Sequence, residues 1–168
     1  MRWDRLFADL EGQADDLELA ERDVLVDELR DGTWAETSWR ELVGGRTVLE
    51  VIGLGRVEGD VQLVNDHVVH LDSGTVEHVV AASAVLSIVS SEHRALDESV
   101  VTSRLGWGHV FRAARAEDST LRITRADGTA VDGRVDVVGH DFVRVASDGG
   151  RTRMVPFAAV AAVTLSGR

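Results

Sequence analysis

The sequence has 168 residues, 44% apolar and 28% charged, a composition typical of a folded globular protein and not of a disordered chain. Its formal charge of −11 at pH 7 makes the surface as a whole repel phosphates and anionic membranes. The absence of cysteine excludes disulfides, thiolate metal sites and cysteine nucleophiles. No apolar run approaches the roughly 20 residues that span a bilayer, and charges interrupt the opening residues, so we expect a cytoplasmic protein without membrane association.

The first segment of the chain is strongly acidic. Residues 1–31 hold eleven acidic residues and four arginines, a net charge of −7, and their apolar residues recur at helical spacing, which predicts an amphipathic helix. Its apolar stripe either packs on the rest of the chain or docks on a second copy or another protein. The candidate protein-binding residues on this stripe are Trp3, Leu6, Phe7, Leu10 and Leu17.

A short helix and a glycine-containing stretch follow. Thr33 with Glu36 and Ser38 with Glu41 are two overlapping helix-start signals. The stretch VLEVIGLGRVEGDV at residues 48–61 has glycines spaced as in a nucleotide-binding loop, but such a loop needs a helix directly after the glycines. The residues that follow instead alternate between apolar and polar, which is the period of a strand. We therefore predict a hairpin here.

The same pattern occurs twice in the sequence. Residues 57–71 match residues 131–145 at a shift of 74, with valine and glycine at shared positions, which indicates an internal repeat. Each copy has a helix signal followed by short alternating segments and turn residues, the pattern of five strands. This pattern resembles the Sm-like barrel, a bent five-stranded sheet capped by a helix, and more loosely the SH3-like barrels, over residues 38–88 and 104–165.

The predicted fold class is therefore mainly β with helices: an amino-terminal amphipathic helix and two fused five-stranded Sm-like or SH3-like barrels, each preceded by a helix. A unit this short buries too little surface alone, so we expect the two to pack about a pseudo-twofold axis and to share core through Trp39, Trp107 and Phe111. The predicted segments are the acidic helix at 1–32, the first unit at 33–88, a linker at 89–103 and the second unit at 104–168.

The opening residues carry a second resemblance. The sequence RWDRLFADLEGQ is similar to the beginning of a group of small actinobacterial proteins of unknown function, some of which are labelled transcriptional regulators. Nothing in the chain indicates a helix-turn-helix with a basic recognition helix, so the residues do not support that label.

The Sm-like resemblance implies rings that bind RNA through an Asp-x-apolar-apolar-Asn segment and an Arg-Gly pair. His70 stands at the Asn position of the first copy and Arg144 at that of the second, and both side chains could contact a base. The Arg-Gly pair is missing from both copies, so the RNA pocket does not transfer. The alternative is that both are solvent-facing strand residues.

The one basic feature is a group of five arginines with two acidic residues among them, a local net charge of +3: Arg104, Arg112, Arg115, Arg122 and Arg125 against Glu117 and Asp118. Three of them form an arginine stripe, which consists of Arg104, Arg112 and Arg115. These residues are predicted on the helix face opposite Trp107 and Phe111, where a phosphate backbone could bind. Alternatively, the arginines form a solvated face or pair with the acidic amino-terminal helix.

No group of residues indicates catalysis, a cofactor or a metal. His67 and His70 fall on opposite faces of a strand, and a cluster of His70, Glu77 and His78 would need adjustment of the hairpin. No serine stands in a nucleophile-elbow sequence, and the carboxylates occupy outward strand positions. We predict that the protein is not an enzyme and has no catalytic residues, cofactor or metal.

Three functions remain open from the sequence. The leading prediction is a non-catalytic cytoplasmic adaptor or scaffold that acts through protein contacts, with an unidentified protein partner or as a homodimer. The alternative is an RNA- or DNA-binding regulator that uses the arginine stripe with Arg144. A third is a small-molecule-binding protein, which predicts an enclosed apolar pocket between the two units.

Overall fold

The computed structural model of the chain describes residues 22, 25, 26, 28–90 and 102–166. The predicted protein-binding residues of the amino-terminal segment lie outside these ranges, as does most of the predicted linker. Among the described residues, no helix is both long enough and apolar enough to cross a membrane.

The amino-terminal compact unit, Met1–Ser38, contains helix α1, to which residues 28–36 belong. The predicted helix start at Thr33 is wrong, because Thr33 lies inside α1 and its hydroxyl donates a hydrogen bond to the carbonyl of Leu29, 2.9 Å away. Hydroxyl side chains within helices often bond back to the preceding turn in this way. α1 continues to residue 36, beyond the predicted boundary at residue 32, and it carries exposed apolar side chains on both sides of that boundary, Leu29 and Trp34.

The second compact unit is Trp39–Arg168, and its described residues form ten strands, one α-helix and four short 3-10 helices. The helical elements are η1 (Trp39–Leu42), η2 (Ala82–Ala84), η3 (Thr102–Arg104), α2 (Trp107–Ala116) and η4 (Phe157–Ala159). The strands are β1 (Arg46–Val51), β2 (Gly55–Val64), β3 (Val68–Asp72), β4 (Val76–Ala81), β5 (Val85–Ser90), β6 (Thr120–Arg125), β7 (Ala130–Val138), β8 (Phe142–Ala146), β9 (Thr152–Pro156) and β10 (Val160–Ser166).

All ten strands belong to one antiparallel sheet in the order β5-β1-β2-β3-β4-β10-β6-β7-β8-β9. The predicted fold class, two five-stranded barrels each preceded by a helix, is therefore wrong. In the described part of the chain only two α-helices occur, α1 and α2, and the first five strands are preceded by the single turn η1 instead of a full α-helix.

Pairing between β4 and β10 joins the ten strands into one sheet. Val80 lies opposite Ala162 at one end of this junction, and Val76 lies opposite Ser166 at the other. A separate five-stranded unit would leave the backbone amides and carbonyls on the outer edge of β4, the edge away from β3, without partners. Such groups favour pairing with any available strand. The sheet therefore continues from the first half of the unit into the second.

The junction also connects the two hydrophobic cores. One core contains Leu49 and Leu71 from the first half, and the other contains Phe111 and Val143 from the second. Strand β10 contributes to both, since Ala161 and Ala162 belong to the first core whereas Val160 and Val163 belong to the second. Of the three aromatic residues predicted to link the cores, Trp107 packs against both, Trp39 against the first and Phe111 lies in the second. The cores are therefore connected by Trp107 and by the valine and alanine side chains of β10.

The two halves of the sheet have the same strand order, 5-1-2-3-4 and 10-6-7-8-9. The bulge between Val61 and Leu63 on β2 has its counterpart between Val135 and Val137 on β7, 74 positions later. Counterpart strands are therefore identifiable, and β10 is the counterpart of β5. Because β4 pairs with the counterpart of β5, non-equivalent strands meet at the junction. A pseudo-twofold arrangement would also pair β5 with β9, and these two are the outer strands of the described sheet.

The glycine-containing stretch at residues 48–61 folds as a hairpin, as predicted. β1 and β2 pair antiparallel from Val51 opposite Gly55 outward, and no helix follows. Gly53 in the turn has a φ of 75°, a conformation that side chains disfavour. The stretch is therefore a strand connection and not a phosphate loop.

Candidate functional site

A cleft of about 310 Å³ lies between α2 and the sheet. Val68, Val79 and Leu165 contribute apolar walls from β3, β4 and β10, and Val110 and Ala113 contribute them from α2. The cleft is therefore built where the two halves of the sheet meet. This is the place at which the small-molecule hypothesis predicts a pocket, although the cleft opens to solvent and is not enclosed.

Four polar side chains line this cleft: His70, Glu77, His109 and Glu117. His70 and Glu77 meet because β3 and β4 pair antiparallel with His70 opposite Val79, which places Glu77 diagonally across on the same face. His70 Nε2 lies 3.2 Å from Glu77 Oε2, and both side chains are partly exposed. His70, predicted to contact a base, is therefore held by a carboxylate inside the cleft.

His78 lies on the other face of β4 and does not join His70 and Glu77. Its Nδ1 is 3.2 Å from Thr164 Oγ1 across the β4–β10 junction, and burial lowers the pKa of His78, because desolvation disfavours the charged imidazole. The conceivable cluster of His70, Glu77 and His78 is therefore not assembled. Within the described residues, no group of three or more histidine, aspartate or glutamate side chains is arranged to hold a metal ion.

The predicted nucleic-acid-binding residues lie on four separate elements: His70 on β3, Arg104 on η3, Arg112 and Arg115 on α2, and Arg144 on β8. Arg144 on β8 donates from Nε to Asp136 Oδ2 at 2.7 Å, which offsets its charge. β8 and β3 are separated by four other strands in the sheet, so Arg144 and His70 lie on non-adjacent strands. Arg104, Arg112 and Arg115 are exposed. Arg112 and Arg115 lie on α2, whereas Arg104 lies on η3 before this helix begins, so the predicted placement of all three on one helix face is wrong for Arg104.

The two outer strands of the described sheet, β5 and β9, carry exposed apolar side chains. Leu86 and Val89 on β5 are 66% and 69% exposed, and Met154 on β9 is 64% exposed. The residues at the corresponding positions of the internal junction are buried. Ala161 on β10 corresponds to Leu86 and is 1% exposed, and Val79 on β4 corresponds to Met154 and is 6% exposed. Positions that are buried where the two halves meet are thus open at both ends of the sheet.

Neither the cleft nor the outer strands were singled out by the sequence. The cleft depends on which strands pair, which periodicity does not specify. A signal for the outer strand did exist, since residues 85–89 read VLSIV and place apolar residues on both faces of a strand. A strand that is apolar on both faces usually has cover on both.

No protein-family model matches this chain, and no curated protein matches it either. The Sm-like and actinobacterial resemblances therefore stay predictions.

Proposed function

We propose that the protein is a non-catalytic adaptor that binds other proteins through the two outer strands of its sheet, and that a second copy of the chain is one such partner. The observation that carries this proposal is the exposure of Leu86, Val89 and Met154 on β5 and β9. An outer strand offers unpaired backbone amides and carbonyls as well as these side chains, and both favour the addition of a further strand.

The internal junction provides a template for the register of this contact. At the junction Val79 on β4 lies opposite Val163 on β10, and the corresponding positions on the outer strands are Met154 and Ile88. Pairing in the same register would place Met154 of one copy opposite Ile88 of another and would cover Leu86. Burial of these side chains contributes about 25 cal/mol for each Å² of apolar surface removed from water.

The contact is between unlike strands, β5 on one copy and β9 on the next. Such a contact is head-to-tail, so each copy keeps one free outer strand until the assembly closes on itself. We therefore expect association that increases with protein concentration and does not stop at a symmetric pair. A scaffold built this way would hold several copies in a fixed orientation.

Substitution of the exposed side chains tests the proposal directly. Leu86→Arg and Met154→Arg each place a charge where the apolar contact would form, and both positions are exposed, so neither change should unfold the chain. We expect either variant to weaken association by about tenfold or more. Light scattering coupled to size-exclusion chromatography, over a concentration series, measures the molar mass.

Leu29→Arg is the matched control, because Leu29 on α1 is 64% exposed and lies outside the sheet. We expect this variant to associate as the unsubstituted chain does. If Leu29→Arg lowers the molar mass and the β5 and β9 variants do not, association runs through the amino-terminal unit and the proposal is wrong. A chain that scatters as a monomer at every concentration would also exclude a second copy as the partner.

A nucleic-acid-binding regulator is the second candidate, and the exposure of Arg104, Arg112 and Arg115 is the observation that favours it. The pairing of Arg144 with Asp136 and the net charge of −11 weigh against it. Binding of labelled RNA and DNA over a salt series would separate the two functions. If the arginine stripe binds phosphates, replacing one of its arginines by alanine should reduce the slope of log binding constant against log salt concentration by about one unit. Absence of binding at low salt would exclude this candidate.

A further inference from the structure

The cleft between α2 and the sheet is lined by one side of α2. Phe111 on α2 is buried in the second core, whereas Val110 and Ala113 of the same helix line the cleft. Its volume of about 310 Å³ is at the small end of the range for sites that bind small organic molecules. Apolar walls with a few polar groups are the usual composition of such sites.

The charge in the cleft selects the kind of ligand. Glu77 and Glu117 approach it from β4 and from the end of α2, and the other polar groups in its lining are the imidazoles of His70 and His109. No arginine contributes to this lining, so a ligand carboxylate or phosphate would meet carboxylates without a cationic partner and would be disfavoured. A cation would be attracted by these two carboxylates.

Helix α2 reinforces this preference for a cation. Glu117 is its carboxyl-terminal cap, and Ala113, Ala114 and Glu117 all line the cleft. The carboxyl end of a helix carries roughly half a negative charge. The Glu117 carboxylate and the backbone carbonyls at this end of the cleft therefore carry charge of the same sign, and Arg115, the cation in the last turn of α2, is exposed and does not line the cleft.

We propose that the cleft binds a small protonated amine with an apolar body, the ammonium group lying between Glu77 and Glu117 and the apolar part against Val79, Val110 and Leu165. Glu77 already accepts a contact from His70, and Glu117 is the carboxylate available from the helix. The site is distinct from the outer strands and does not depend on the adaptor function.

Binding of three probes of similar shape tests the inference: 2-phenylethylamine as the cation, 2-phenylethanol as its neutral analogue and phenylacetate as the anion. Titration of the full chain followed by backbone amide NMR gives both affinity and location. We expect the amine to bind about tenfold more tightly than the alcohol, with shifts at Ala113 and Val79, and the anion not to bind. Equal affinity for amine and alcohol would overturn the proposal, as would shifts outside the cleft.

Variants identify the groups responsible. Glu117→Gln and Glu77→Gln should each weaken amine binding several-fold and leave the affinity for 2-phenylethanol unchanged. Loss of folding could not produce this difference.

Three further variants serve as controls. Ala113→Phe should fill the cleft and abolish binding of both probes. Glu36→Gln, on α1, is the matched control and should bind the amine as the original chain does. Leu86→Arg should retain amine binding, so failure here is distinguishable from failure of the adaptor proposal. Amine binding that survives both Glu→Gln changes would contradict the assignment.

Discussion

Gly53 shows how a single residue constrains the packing of one turn on another. Its φ is 75°, and a Cβ atom added there would lie 2.4 Å from the carbonyl oxygen of Arg125. Gly55 has a similar φ of 84° but open space around the added atom. We expect Gly53→Ala to lower the free energy of unfolding by roughly 2–4 kcal/mol and Gly55→Ala by about 1–2 kcal/mol, since only the first adds a collision to the strain of a left-handed backbone. Equal losses in urea unfolding would show that the turns separate freely.

His78 links the stability of the β4–β10 junction to pH. Burial lowers its pKa in the folded protein below the unfolded value of 6.5, so its imidazole takes up a proton more readily in the unfolded chain. Its contribution to stability is therefore fully present above pH 6.5 and is lost as pH falls from there through the lowered pKa.

Thermal unfolding at pH 7.5 and pH 5 measures this effect. We expect His78→Gln to lose less stability between the two pH values than the unsubstituted chain does, because glutamine does not titrate and can still reach Thr164. His140→Gln, at an exposed position, is the control and should follow the unsubstituted chain. A His78→Gln variant with an unchanged pH dependence would show that other groups cause it.

The candidate residues of the cleft illustrate what the sequence can and cannot predict. His70 was identified as a strand residue with a polar side chain, which alternation alone establishes. Its partner Glu77 is seven positions away, and the two meet only because of the register of β3 on β4. A register shift of one residue would have moved His70 to the other face, so its place in the cleft was not predictable.

At the scale of elements, hairpins were predictable and the junction was not. β1 with β2 is joined by a short turn whose glycines and alternating flanks are visible in the sequence, and local pairing of this kind follows from turn chemistry. β4 and β10 are joined by no turn and pair Val80 with Ala162, 82 positions apart. Both segments were recognisable as strands, but no local sequence feature specifies that β4 pairs with β10. The prediction of two separate barrels was wrong because it did not include this pairing.

An exchange of residues between counterpart strands tests whether the junction is as closely packed as its burial indicates. Ala161→Leu introduces the β5 residue into β10, where Ala161 is fully covered, and we expect it to lower the free energy of unfolding by about 1–3 kcal/mol through overpacking. Leu86→Ala makes the reverse change on the exposed strand and should alter stability by less than about 0.5 kcal/mol. Urea unfolding at low protein concentration measures both, and a neutral Ala161→Leu would indicate a loosely packed junction.

At the scale of the whole molecule, the strand pair at the internal junction has counterparts at the two ends of the described sheet. The junction strands pair with one another, whereas their counterparts each have a neighbouring strand on one side only. β10 covers β4 internally, and their counterparts β5 and β9 are the outer strands of the described sheet. Under the adaptor proposal these two strands are complementary ends, a property that follows from having two similar halves with a head-to-tail order. Composition and periodicity pointed to the two halves but not to the free ends.

Complementation between variants tests this property, because each substitution blocks one end only. Leu86→Arg closes β5 and leaves β9 free, whereas Met154→Arg closes β9 and leaves β5 free. At a concentration at which each variant alone is monomeric, we expect an equimolar mixture to form a one-to-one complex that grows no further, since the single productive contact uses the unblocked strand of each partner. The double variant, which has neither end free, should bind neither. Light scattering of the mixture against each component measures this outcome, and a mixture that remains monomeric would show that β5 and β9 do not recognise one another.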